Sequence, residues 1–261
     1  MTDDLGTPHL RFDRDGPLGW CIIDRPRARN ALTGAMYLGI RRAVDLVNTD
    51  PDLAALIITG TGDVFAPGGE MSGRGDDAGM ARALGTDVLP FKAIRQSPAP
   101  VIAAVNGLCQ GGGLMIAMLA DVAVASDAAT FRAPELLRGV ADAYYAAVLP
   151  AHVGIARARE IMFTGRAIDA AEAVQIGLIA RVVPHDTVRD AAAAVARDVL
   201  QTAPRARFQW KRLVNEGYGP IDEMTFNDSI RSDECVEGFQ AFTEKRAPGW
   251  IPAAFRSTKR L

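Results

Sequence analysis

The chain has 261 residues, 49% of them apolar, and 29 Lys+Arg stand against 31 Asp+Glu for a net charge of −2. That is enough chain and enough apolar side chain for one sizeable core with an appendage, and it excludes a disordered tail. The balanced charge, without a block of five like charges, leaves no footprint for nucleic acid, and no apolar run reaches the roughly 18 residues that a membrane span needs.

Alternating runs at 10–13 and 18–23 flank Asp15-Gly16-Pro17 and predict a β-hairpin. Thr33 can cap a helix whose apolar residues Met36, Ile40, Val44 and Val47 recur at helical spacing, and Asp50-Pro51 ends it. Short β-branched runs at 55–59 and 101–105 predict buried strands, separated by a Gly-rich charged stretch at 68–79 and a helical segment ending near Gln96. Strands that alternate with crossovers in this way make a parallel sheet, to which 122–125 adds a strand. Beyond residue 150 the strands are expected to stop, and helical patterns run over 155–163, 169–176, 187–200, 204–214 and 221–245. The reading is α/β, with a core over 1–184 and a helical region over 185–261. The charged first residues and the basic C-terminus resemble no targeting element, so a cytoplasmic location is expected. Cys21, Cys109 and Cys235 are few and far apart, as are His9, His152 and His185, which argues against a disulfide framework and against a metal site.

The most unusual run is Asn106-Gly107-Leu108-Cys109-Gln110-Gly111-Gly112-Gly113-Leu114-Met115, a strand end followed by three glycines that open a helix to Leu119. Glycines let backbone approach a ligand, and a helix start offers unpaired N–H groups with partial positive charge, which outlines an oxyanion or anion site. Three glycines equally permit tight helix–strand packing. Neither a GxxxxGK[ST] phosphate loop nor a GxGxxG dinucleotide fingerprint is present. A second bend, Val64-Phe65-Ala66-Pro67-Gly68-Gly69-Glu70-Met71-Ser72, follows the strand ending at Thr59. In a parallel sheet both loops lie at the C-terminal edge of neighbouring strands, where two backbone N–H groups can converge on one carbonyl oxygen. That geometry stabilises an enolate.

The sequence here resembles the enoyl-CoA hydratase/isomerase, or crotonase, superfamily. Four segments in order carry the resemblance: Ile23-Asp24-Arg25-Pro26-Arg27-Ala28-Arg29-Asn30-Ala31-Leu32, the run from Phe65 to Met71, the run from Ala104 to Gly113, and Glu237-Gly238-Phe239-Gln240-Ala241-Phe242-Thr243-Glu244-Lys245-Arg246. It implies a spiral of β-β-α turns with a helical C-terminal part that trimerises, as a homotrimer or a dimer of trimers. It also implies an acyl-CoA or enoyl-CoA substrate, with coenzyme A entering as part of that substrate and no permanently bound cofactor. Gly69 and Gly112 would supply the oxyanion-hole amides. Pro67, Gly69, Met71 and Ser72 would follow the adenine and ribose edge of coenzyme A, and Ala28 and Arg29 would lie near the pantetheine. Ser72 replaces a frequent family lysine, a loss for which Arg74 or Arg27 can substitute. Phe242 and Lys245 resemble the pair that reaches the nucleotide from an adjacent subunit, or else serve amphipathic helix packing.

The acid/base pair departs from the family pattern. Hydratases of the family use two glutamates, whereas here the first position is Met115, which cannot ionise, and the second is Glu135 in Phe131-Arg132-Ala133-Pro134-Glu135. One carboxylate suffices to take a proton from one carbon and return it two carbons away, as some family isomerases do. Double-bond isomerisation is therefore the leading expectation. Hydration with a substitute acid such as Asp142 is the alternative, and a non-catalytic acyl-CoA binding protein is the third. In Gly139-Val140-Ala141-Asp142-Ala143-Tyr144-Tyr145 many relatives carry a glycine-rich pocket lining. Asp142 is there either a proton donor or a helix cap, and Tyr144 and Tyr145 either touch the acyl group or pack.

Overall fold

The computed structural model describes residues 3–70, 88–252 and Arg256. Met71, Ser72 and Arg74, expected along coenzyme A, lie outside the described residues.

The hairpin forms as the alternation predicts: β1 (Leu10–Asp15) and β2 (Leu18–Ile23) are antiparallel, with Leu10 opposite Ile23. Helix α1 (Gly34–Thr49) starts where the Thr33 hydroxyl accepts the Met36 N–H at 3.2 Å. It buries Met36, Tyr37, Ile40, Val44 and Val47 along one face.

Thereafter the chain repeats one unit, a strand in a large sheet, a strand in a small sheet, then a helix. β3 (Ala55–Gly60) leads to β4 (Val64–Ala66) and, further on, to α2 (Phe91–Gln96). β5 (Val101–Val105), β6 (Leu108–Gln110) and α3 (Gly112–Leu119) make the second unit. β7 (Val122–Ser126), β8 (Thr130–Arg132) and α4 (Ala143–Val153) make the third. The large sheet has the order β1-β2-β3-β5-β7-β10, with β10 at Arg181–Val183, and is parallel from β2 onward. The small sheet has the order β4-β6-β8-β9, with β9 at Ala167–Asp169. A chain that advances one strand per sheet at each turn is a spiral of β-β-α units, the α/β architecture that the sequence implied.

Period-two alternation explains why the central strands are apolar at nearly every position. Leu56 and Ile58 of β3 join the core under α1 and α3, while Ala55 and Ile57 face the other way, beneath α7 (Val188–Leu200) with its buried Val188, Ala192, Val195 and Ala196. The helix beginning at Val188 thus covers the second face of the sheet.

Two expectations are corrected. Strands do not stop at residue 150: after α5 (Ile155–Thr164), β9 (Ala167–Asp169) pairs antiparallel with β8, and after α6 (Ala170–Gln175), β10 (Arg181–Val183) pairs parallel with β7. Three-residue edge strands are too short to show alternation. The single helix expected over 221–245 is two, α9 (Glu223–Ser229) and α10 (Asp233–Glu244), because the Ser232 side chain accepts the Cys235 N–H and starts a new helix. Between α7 and α9 lies α8 (Pro204–Glu216), tied to the core by the buried Lys211, whose ammonium meets Asp121 at 2.8 Å just past α3. Among the described residues no helix is long and apolar enough to cross a membrane.

Candidate active site

The small sheet brings the two glycine loops together. Because β4 pairs with β6, the loops that follow them run side by side, and a Cβ built on Gly68 would stand 3.3 Å from the Gln110 oxygen and 3.5 Å from Gly112 N. Gly68 has φ +102° and Gly111 φ +53°, conformations that favour glycine. On its other side the 68–70 loop bridges to Leu32: Leu32 N–H donates to Gly68 O at 2.9 Å and Glu70 N–H to Leu32 O at 2.8 Å. In a parallel bridge of that form the intervening residue turns its own N–H away from the partner, so the Gly69 N–H points away from Leu32. Gly112 is the first residue of α3, and its N–H has no intrahelical acceptor. Both glycines are only partly buried.

Residues 25–32 are held against this loop by side chains. Asn30, buried in the left-handed region at φ 62°, takes the Arg25 N–H at 2.9 Å and gives its amide protons to Val64 O at 2.7 Å and Thr61 O at 3.2 Å. Arg25 reaches Glu70 at 2.5 Å and Ala31 O at 3.0 Å. Ala28 and the exposed Arg29 lie in the turn between these anchors, ahead of the Leu32 bridge to Gly69.

The β6–β8 pair delivers the carboxylate. Gly111 N–H donates to Arg132 O at 3.1 Å, and three residues on, Glu135 Oε1 lies 3.1 Å from the point that a Cβ on Gly111 would occupy. Glu135 is buried, and its Oε2 is enclosed without a hydrogen-bond partner. Burial holds its pKa well above the ordinary carboxylate range, and the Asp142 charge adds to the effect, against smaller opposing contributions from a backbone hydrogen bond and Arg138. A carboxyl so placed is poised to exchange a proton with a bound molecule.

Asp142 caps α4, its Oδ1 accepting the N–H groups of Tyr144 at 2.8 Å and Tyr145 at 3.1 Å. Burial pushes its pKa up to about 6 despite those two bonds. Tyr145 donates its hydroxyl to Gly111 O at 2.8 Å, which fixes the first glycine of the triplet. Tyr144 donates to Glu223 of α9 at 2.7 Å, and its ring packs edge-on between Phe91 and Phe226. Met115 is fully buried in the apolar core.

Phe242 and Lys245 lie at the far end of α10. The Phe242 ring carries the Arg138 guanidinium 3.9 Å from its centroid, and Lys245 ends the helix in the left-handed region. That contact joins α10 to the turn after Glu135 within one chain. Two features went unread in the sequence, the Arg25–Glu70 clamp and Tyr37, whose hydroxyl meets the space beside Gly112. Tyr37 lies on the apolar stripe of α1, so periodicity marks it as buried but not which loop it faces. A groove of about 410 Å³ lined by Asp13, Arg14, Trp20, Arg189 and Arg197 lies between β1/β2 and α7 and shares no residue with this site. Among the described residues no group of three or more His, Cys, Asp or Glu could hold a metal ion.

Residues 19–252 match the model of the family described as enoyl-CoA hydratase/isomerase. A Mycobacterium bovis protein named "Probable enoyl-CoA hydratase" is 34% identical, over 92% of this chain and 96% of its own. The crystal structure of carnitinyl-CoA hydratase from Mycobacterium avium superposes with a TM-score of 0.80 at 30% identity, covering 94% of this chain and 99% of that one. A monofunctional enoyl-CoA isomerase from M. smegmatis superposes with a TM-score of 0.68 at 29% identity, over 84% and 98%. The spiral fold, the paired glycine loops and the match over nearly the whole chain agree: this chain belongs to the enoyl-CoA hydratase/isomerase family, and it is an enzyme of that kind.

Proposed function

We propose that the chain isomerises the double bond of an enoyl-CoA thioester. The thioester oxygen would lie between the N–H groups of Gly69 and Gly112, each worth about 2.7–4 kcal/mol once negative charge develops on that oxygen. Glu135 would take a proton from the carbon next to the carbonyl, the electron pair would delocalise as a dienolate onto that oxygen, and the same carboxyl would return the proton two carbons further along. The observation that carries the reading is the Glu135 carboxyl against the glycine triplet with one oxygen unpartnered, while Met115, in the helix that the triplet opens, is apolar and buried in the core.

Coenzyme A would enter as part of the substrate, along Ala28, Arg29 and Pro67 and the segment containing Met71 and Ser72, with Phe242 and Lys245 near the nucleotide. The helical region over 185–261 would join subunits in a homotrimer or a dimer of trimers. The exposed Trp210 and Leu213 of α8 and Met224 of α9 support a covered surface there.

Hydration is the second reading, favoured by the hydratase names of the relatives and by the electrostatic link between Asp142 and Glu135. Initial rates with 3-enoyl-CoA against 2-enoyl-CoA decide between them. Isomerisation requires conversion of the 3-enoyl ester to the conjugated 2-enoyl ester without water addition. Accumulation of a 3-hydroxyacyl ester from the 2-enoyl ester would instead establish hydration.

A further inference from the structure

One buried polar group against the glycine loops has no task in the chemistry above. Tyr37, on the core face of α1, is 7% exposed, and its ring stands edge-on to Phe91 at 6.4 Å. A Cβ on Gly112 would run into its hydroxyl oxygen and would lie 3.1 Å from its Cζ and 3.4 Å from its Cε1. The phenol oxygen therefore stands within about 4 Å of the Gly112 Cα, since a Cα–Cβ bond spans about 1.5 Å.

The three tyrosines around the site differ in what their hydroxyls do. Tyr145 donates to Gly111 O and Tyr144 to Glu223. The Tyr37 hydroxyl has no hydrogen-bond partner among the described residues, yet it is absent from the enclosed atoms that lack one, which are Glu135 Oε2 and Arg207 Nε. The hydroxyl oxygen therefore keeps some accessible surface. Buried phenols ordinarily find a partner, and an uncommitted one that opens beside the Gly112 amide is aimed at what the site takes in.

We propose that Tyr37 is a catalytic residue, a third hydrogen-bond donor to the thioester oxygen beside the N–H groups of Gly69 and Gly112; the inference rests on the oxyanion reading of those two glycines. The hydroxyl proton stays on Tyr37 throughout, and no bond to it forms or breaks. As Glu135 removes the carbon-bound proton, the hydrogen bond from Tyr37 shortens onto the developing enolate oxygen. The role requires an acceptor about 2.9 Å from Gly112 N to lie also within hydrogen-bond distance of the phenol oxygen, which stands within about 4 Å of the Gly112 Cα. Burial first, then the charges of Glu135 and Asp142, push the Tyr37 phenol above its ordinary pKa, so it remains a donor across the neutral range. Among the described residues, Glu135, Asp142 and the Tyr145 hydroxyl are the titratable groups whose charge is felt at Tyr37 or that feel its charge.

The test is isotope-edited infrared spectroscopy of butyryl-CoA labelled with ¹³C at the thioester carbonyl, bound to the full-length protein, alongside steady-state kinetics. On the wild type the carbonyl stretch is expected well below its solution frequency. In Tyr37→Phe it should move part of the way back, with kcat lower by about a hundredfold, the loss typical of one oxyanion donor, and KM little changed. Replacing Tyr37 by 3-fluorotyrosine, a stronger acid of nearly the same shape, should lower the frequency further and does not depend on the Phe variant folding. Glu135→Gln should abolish turnover but leave the stretch shifted. A shifted stretch that is identical in wild type, Tyr37→Phe and the fluorotyrosine protein overturns the role of Tyr37 and leaves the two glycine amides standing. An unshifted stretch in the wild type overturns the oxyanion reading itself, and Tyr37 with it.

Discussion

Glu135→Gln keeps the size of the side chain and removes its ionisation, so it should raise stability while abolishing proton transfer. Glu135 is buried with one oxygen unpartnered, and its folded-state pKa lies well above the ordinary 4.5. Between 4.5 and the folded pKa the native protein keeps a proton that the unfolded chain has released. Stability therefore falls as pH rises through that window, by about 1.4 kcal/mol per pH unit for one proton. Glutamine lacks this contribution, so the gap between variant and wild type widens with pH through that window. For a chain of this size about 1 kcal/mol moves Tm by about 2–4 °C, so the variant should melt above the wild type at pH 7, by about 3–6 °C for each pH unit of the window, and the two should converge as pH falls toward 4.5. The assay is thermal unfolding followed by circular dichroism at pH 5, 6 and 7, at one protein concentration so that any subunit association is held constant. Equal melting points with equal pH dependence, or a less stable variant at pH 7, would refute the assignment of Glu135 as a strained, desolvated acid.

Asp142→Asn keeps a good helix cap but removes the charge that helps to raise Glu135; the acid limb of kcat/KM against pH should move to lower pH, and an unmoved or alkaline-shifted limb contradicts the coupling. Gly112→Ala drives a methyl group into the Tyr37 hydroxyl, at a cost of about 1–3 kcal/mol. In a Tyr37→Phe background part of that loss should return, so a denaturant double-mutant cycle should give a coupling above about 0.5 kcal/mol, whereas additive losses would mean that the two residues do not touch. Lys211→Met strips the buried partner from Asp121, whose remaining side-chain partner among the described residues is the Val101 N–H at 2.7 Å. Because the Asp121 side chain keeps 21% of its surface exposed, we expect a loss of about 1.5–3 kcal/mol in denaturant unfolding, partly recovered in the Lys211→Met, Asp121→Asn double variant; no recovery would rule out the unpaired carboxylate as a cause.

The parts of the fold legible in sequence were those with a local code. The Thr33 cap, the stripe from Met36 to Val47 and the apolar runs of β3, β5 and β7 each combine length with a clear period, and the structure reproduces them. β8, β9 and β10 were not legible, because a three-residue strand gains its pairing from a neighbour that no window of sequence contains. The break at Ser232 was present as a serine followed by two acidic residues, but a continuous helical stripe on either side hid it. The glycine triplet and the loop at 67–70 were readable as conformationally permissive backbone, and their meeting follows from the parallel order of β4 and β6. Contacts such as Tyr37 against Gly112, Tyr145 on Gly111 and Arg138 on Phe242 join residues distant in sequence and carry no motif. Asp142 shows the limit from the other side: sequence offered proton donor and helix cap as alternatives, and the residue caps α4 by hydrogen bonding while its charge also acts on Glu135, a contact that no local pattern marks.

The central claim is that Glu135 moves a proton on a carbon held next to a backbone oxyanion site. Single-turnover exchange of the α-protons of acyl- and enoyl-CoA esters in deuterated water, with wild type beside Glu135→Gln, tests it most directly. Deuterium should enter the ester in the wild type and not in the variant, both binding the ester alike. Equal exchange in the two proteins, or none in either despite saturable binding, would contradict the account.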